Sequence, residues 1–175
     1  MKEDLMLLRT MPWKHKSILA MVLMSGTILM YFTCSSQAMM IKSMLLYLAL
    51  TFVSYLDYRF RIIPDWVHMV IIVVGIINFS ITKSMIGLVV SPLPFLIMAL
   101  IKEGSIGGGD IKLIGATGFA MGYSKTFTSS IIAMALAILF CSLYYLGKKK
   151  ARDQSFPFAP FFQIGCTIVM ITGGL

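Results

Sequence analysis

Acidic residues are scarce in this chain: seven Asp and Glu stand against fifteen Lys and Arg among 175 residues. Cysteine is nearly absent as well. Cys34, Cys141 and Cys166 are far apart, with no CxxC pair and no zinc-like spacing, which argues against a metal-centred fold or a disulfide framework. They read as small apolar residues. Two histidines add no metal-binding cluster. Charge of either sign is low at 13%, where a soluble domain carries about 25%. No internal repeat, long linker or separate polar domain interrupts the sequence. Nucleic-acid binding would need a solvated basic face, and the net charge of +8 lies in short segments between apolar runs.

What the chain has in quantity is apolar surface. Hydrophobic residues make up 58% and the mean hydropathy is +0.89. A soluble chain this short cannot hide so much, whereas a bilayer accepts it. A spanning helix needs about 20 mostly apolar residues, with about 17 tolerated. Ser17–Cys34, Ala38–Leu56, Trp66–Thr82, Ser84–Ile101, Ile111–Tyr123, Ser129–Leu146 and Phe158–Leu175 are the candidates. The expected fold is therefore an all-α, polytopic membrane helical bundle of six or seven spans. The number depends on the first segment, because Ser36-Gln37-Ala38 resembles a signal-peptidase site. That apolar stretch exceeds the roughly 7–15 residues of a signal peptide core, so retention as a helix is the expectation. The chain then divides into an N-terminal region with an extra helix (1–37) and a core (38–175).

Basic residues set the expected orientation. With the N-terminus in the cytoplasm, twelve of the fifteen Lys and Arg fall inside, and only Lys42, Lys83 and Lys125 fall outside. This follows the positive-inside rule and predicts a multi-pass protein of the cytoplasmic membrane.

Three acids sit at the predicted inner ends of spans: Asp57, Asp65 and Asp110. Carboxylates at that depth are costly and mark functional positions by default. Asp57 on its own reads first as a membrane-edge charge paired to Arg59 or Arg61. Asp65 follows Pro64, and a proline with an acid is an ordinary helix start. Asp110 differs, because it follows Gly107, Gly108 and Gly109 and opens a helix. Three glycines allow unusual backbone and the close approach of another chain, although a glycine run can also be a plain connection. A phosphate-binding loop is excluded, since GK[ST] is missing and an acid occupies the helix end that attracts anions.

Two carboxylates at one membrane face permit aspartic-dyad hydrolysis. An ionised member activates water and a protonated one donates to the peptide carbonyl. Helix ends suggest which is which. Asp110 at a helix N-terminus is expected to be ionised, and Asp57 at a helix C-terminus protonated. Lys112 lies two residues from Asp110, off its helix face, and is expected to snorkel.

At these residues the chain resembles the type IV prepilin peptidase family among the GxGD membrane aspartic proteases. The segment from Asp57 to Pro64-Asp65 is similar to the family's first catalytic motif. Gly107-Gly108-Gly109-Asp110-Ile111-Lys112-Leu113 is similar to its second, and Pro157-Phe158-Ala159-Pro160-Phe161 to a motif near its C-terminus. The resemblance implies that Asp57 and Asp110 are the catalytic pair. It implies that Gly107, Gly108, Gly109, Asp65 and Lys112 support the site or contact substrate. No metal or cofactor is implied. The implied partners are a prepilin-like protein, with a short basic leader ahead of an apolar helix, and membrane lipid, but no nucleic acid. Larger members carry paired CxxC motifs associated with methylating the new N-terminus. None occurs here, so the expectation is a short, peptidase-only type. The alternatives are another GxGD protease, a transporter with the aspartates on an ion path, and a non-catalytic assembly subunit. Relatives of signal peptide peptidase or presenilin would show a Pro-Ala-Leu motif, which is missing.

Overall fold

Apolar runs in a bilayer must satisfy their backbone internally, and helices do so within one segment. A computed structural model describes residues 21, 23–28, 31, 36–102, 104, 106–146 and 156–173. The expected first span, Ser17–Cys34, and the basic stretch 147–155 lie largely outside these residues. Among the described residues the chain forms seven labelled helices and no strand. They are α1 (Gln37–Phe60), α2 (Asp65–Gly75), α3 (Ile81–Val90), α4 (Leu93–Ile101), α5 (Gly108–Met121), α6 (Tyr123–Leu146) and α7 (Ala159–Gly173). The fold is an all-α membrane helical bundle.

Three stretches are long and apolar enough to cross a membrane: Gln37–Phe60, Ile81–Ile101 and Tyr123–Tyr144. The others are shorter than the spacing of apolar residues predicts. The expected Trp66–Thr82 span ends at Gly75, and Asn78 turns the chain with φ 52°. The expected Ser84–Ile101 span is present within Ile81–Ile101, with an interruption at Ser91-Pro92. Proline has no N–H to continue the α3 ladder.

The centre of the bundle is α5, which packs against α2, α3 and α6. Every residue from Leu113 to Met121 is buried, as expected of a helix enclosed on all sides. Small residues permit this. Gly118 lies directly against the Gly87 backbone of α3, and Gly115 faces Leu88 and Pro92. Close approach through small residues is the usual way that membrane helices gain packing. On the far side, α7 packs on α1 and α6, with Gly165 against the Ser129 carbonyl. Leu46, Leu50, Val53, Ile71, Leu113, Ile114, Phe162 and Met170 form the core between these layers.

At the end of α1 that begins the chain's described core, Lys42 is buried and donates to the Gly75 carbonyl at 3.3 Å. It thereby satisfies a free carbonyl at the C-terminus of α2. Asp57 lies at the opposite end of α1. The bundle thus carries buried Lys42 and buried Asp57 at different ends.

Candidate functional site

The site begins at the last turn of α1. Asp57 is 7% exposed. The helix stops four residues later, where Arg61 takes a left-handed conformation (φ 55°) and its N–H bonds the Asp57 carbonyl oxygen at 2.9 Å. This turn keeps Arg61 beside Asp57, where both line one cavity. The Asp57 carboxylate receives the Ala159 N–H on Oδ2 at 2.9 Å. Ala159 is the first residue of α7. A helix N-terminus, with its free N–H groups and positive dipole end, therefore points at this carboxylate. The Phe158 amide also contributes.

Asp110 lies at the third position of α5, with Gly107 as N-cap. Its carboxyl reaches back to the Gly107 N–H, as an acid at this position commonly does. The other oxygen, Oδ1, is buried with no hydrogen-bond partner. Asp110 sits ahead of the apolar part of α5, outside the three long spans. Burial, followed by the nearby Asp57 charge, pushes its carboxyl up to about 7, against a smaller opposing effect of the Gly107 amide.

Asp57 and Asp110 line the same cavity of about 510 Å³, together with Arg61 and Gly107. Its apolar wall includes Phe95, Phe158 and a stripe of α6: Met134, Ala137, Ile138 and Cys141. These α6 positions recur at helical spacing, so one face of that helix borders the cavity.

The three glycines differ in their surroundings. A Cβ on Gly107 would stand 3.0 Å from Asp110 Oδ2, and one on Gly109 would stand 3.3 Å from Ile63 Cβ. One on Gly108 would meet nothing within 4 Å. Glycine is thus favoured by space at the first and third positions and not at the second. This is a physical reason for a G-x-G-D pattern.

Asp65 and Lys112 lie beside the cavity and do not line it. Lys112 Nζ donates to Asp65 Oδ1 at 2.7 Å, tying the start of α2 to the first turn of α5. The pair is 60% and 75% exposed. The Lys112 ammonium holds the Asp65 carboxyl below the usual carboxylate range. Lys112 therefore pairs across helices, where the sequence suggested a snorkelling side chain. Sequence reasoning also left the Pro157–Phe161 segment without a physical role, yet its backbone reaches Asp57. It named Arg61 only as a charge partner for Asp57, and passed over His68, whose Nε2 is 3.2 Å from the Gly109 carbonyl. A polar residue inside the apolar run of α2 was the available signal.

Among the described residues no group of His, Cys, Asp or Glu is arranged to hold a metal ion. The class so defined is a multi-pass helical membrane protein with one buried and one half-buried carboxylate, from separate helices, on one cavity. The sequence profile of the type IV leader peptidase family matches residues 44–145, more than half of the chain, and the protein belongs to that family. It is also similar to a prepilin leader peptidase/N-methyltransferase of Bacillus subtilis (strain 168), with 30% identity over 77 residues. That alignment covers 44% of this chain and 31% of the relative. No solved structure matches it.

Proposed function

We propose that this protein is a membrane aspartic endopeptidase that removes the leader peptide of prepilin-like proteins at the cytoplasmic face of the cell membrane. The observation that carries this reading is the shared cavity of Asp57 and Asp110. Family membership supports the substrate class. The distribution of basic residues supports a cytoplasmic N-terminus and a site at the inner face.

Hydrogen bonding favours the reverse of the ionisation that each helix end suggests. Asp57 sits at the C-terminus of its own helix but receives the N-terminus of α7. An N–H donor favours negative charge on its acceptor. Asp110 Oδ1 has no donor. In our reading Asp57 is the ionised base and Asp110 the protonated acid.

The chemistry then follows. Asp57 takes a proton from water as the water oxygen attacks the scissile carbonyl carbon. Asp110 gives its proton to the carbonyl oxygen, forming a neutral gem-diol. In the second step the Asp57 proton passes to the departing amide nitrogen. Asp110 recovers a proton from a gem-diol hydroxyl as the C–N bond breaks. The products are a carboxylic acid and an amine, and both aspartates return to their starting states. Gly107 and Gly109 keep space at the acid, and Gly108 leaves the loop open for an extended peptide. Asp65 and Lys112 support the loop from outside. The apolar stripe of α6 suits the hydrophobic segment that follows a leader. The proposed activity is hydrolysis of the peptide bond at the leader junction.

The test is direct. Purified protein should shorten a prepilin-like peptide at its leader junction. Asp57→Asn and Asp110→Asn should each abolish cleavage while retaining the helical circular dichroism of the parent. Cleavage that survives either change would end the dyad reading. Ion flux that depends on both aspartates, without proteolysis, would establish a transporter instead.

A further inference from the structure

Behind the Gly109 carbonyl stands a buried histidine. His68 lies in α2, one turn beyond Asp65, and is 6% exposed. Its Nε2 is 3.2 Å from the Gly109 oxygen. A carbonyl only accepts, so in this contact Nε2 carries the hydrogen. The other ring nitrogen, Nδ1, is buried without a hydrogen-bond partner, 3.8 Å from Asp65 Oδ1. The same Asp65 oxygen is held by Lys112. Helix α2 therefore holds α5 at two separate points, Asp65 to Lys112 and His68 to Gly109. The two α5 residues flank Asp110.

An imidazole is an expensive filler for this position. Burying a polar ring costs free energy that an aliphatic side chain would not. The other buried hydroxyls of the bundle mostly resolve that cost locally. Thr51, Ser54, Thr117 and Ser130 each bond a carbonyl one turn back in their own helix. His68 reaches a different helix instead, and its acceptor belongs to the peptide bond that joins Gly109 to Asp110. That peptide plane sets the direction in which the Asp110 side chain leaves the backbone. Its neighbours Gly107, Gly108 and Gly109 provide little stiffness of their own.

We propose that His68 is a positioning residue for Asp110. Its Nε2–H pins the Gly109–Asp110 peptide plane from the neighbouring helix. The proposal rests on the reading of Asp110 as one of the catalytic pair. Misplacing a reacting group by about 1 Å costs on the order of a hundredfold in rate. Removing the pin should therefore lower kcat by roughly ten- to a hundredfold with KM unchanged. Gln at this position keeps a donor of similar reach and should restore most of the rate.

The chain contains a single Gly–Asp dipeptide, residues 109 and 110. Carbonyl-13C glycine with 15N aspartate thus isolates one peptide group for NMR on the full protein in membranes. The Gly109 carbonyl resonance of the parent should move upfield in His68→Met, where the hydrogen bond is lost, and stay in place in His68→Gln. The same proteins enter the peptide cleavage assay. Loss of the resonance position together with loss of kcat, both rescued by Gln, supports the proposal. An unmoved resonance in His68→Met overturns it, and so does a moved resonance with full kcat. Should His68→Met fail to accumulate, 15N-histidine spectra of His15→Gln protein decide, because one ring then remains. A hydrogen-bonded Nε2–H supports the proposal, and a bare Nε2 overturns it. A parent protein that folds and cleaves nothing overturns the peptidase reading itself, and this proposal with it, wherever the carbonyl resonates. Cleavage that is normal in the parent and in His68→Met overturns the positioning role alone.

Discussion

Gly87 of α3 and Gly118 of α5 meet backbone to backbone: a methyl on either residue would run into the carbonyl of the other. No flexible side chain lies between them to yield. Gly118→Ala should therefore cost about 3 kcal/mol, the upper part of the range for overpacking. Gly115→Ala, with 3.4 Å to the Leu88 oxygen, should cost much less. Denaturation of the two variants in the same detergent checks the difference.

The three glycines before Asp110 should separate into distinct phenotypes. Gly108→Ala meets open space and should leave cleavage intact, with a stability gain of about 0.5 kcal/mol. Gly107→Ala forces the Asp110 carboxylate to turn, since the added carbon would lie 3.0 Å from its Oδ2. Its kcat should fall about tenfold or more. Gly109→Ala presses on Ile63 at 3.3 Å and should fall between them. Equal loss in all three would contradict the spatial argument.

Ala159→Pro removes one N–H and little else. Proline is favoured at the first position of a helix, and Ala159 holds that position in α7. The missing bond is the one to Asp57 Oδ2. Hydrogen bonds to charged groups contribute about 1.5–3 kcal/mol, which corresponds to roughly a ten- to hundredfold loss of rate. Ala159→Gly keeps the donor and should stay near the parent rate. Circular dichroism should be the same in both.

Activity should decline on the alkaline side of neutrality. The Asp110 carboxyl is raised to about 7, chiefly by burial and then by Asp57. Its protonated, donating form is therefore lost as pH rises through that value. A kcat/KM profile of the parent should show this limb. Gly107→Ala, which disturbs the one amide that opposes the rise, should move the limb to higher pH. A profile flat from pH 6 to 9 (roughly two pH units beyond the titration) would contradict the assignment of Asp110 as the acid.

The bundle and the aspartates were legible from the residues, for reasons that also mark the limit. Asp57 and Asp110 stood out because carboxylates are rare beside apolar runs. Helix ends were harder. Ile76 and Ile77 continue the hydropathy of α2 past its end at Gly75, and hydropathy does not register the turn at Asn78. The start of α6 was expected at Ser129 and lies at Tyr123. Thr128, Ser129 and Ser130 each bond a carbonyl one turn back, so a polar stretch stays helical at small cost. Our proposal reverses the ionisation that the helix ends suggest, for a different reason. The dipole of a residue's own helix can be read locally, but the α7 N-terminus reaches Asp57 from 102 residues away. Likewise Lys112 finds Asp65 across 47 residues, a distance at which no local spacing rule applies.

The contact between α1 and the start of α7 also has a consequence for biogenesis. Synthesis delivers α7 after every other labelled helix. A nascent chain threaded into the bilayer as far as α6 already holds both aspartates, yet Asp57 still lacks its amide donor. A chain that stops short of α7 therefore leaves Asp57 without this donor.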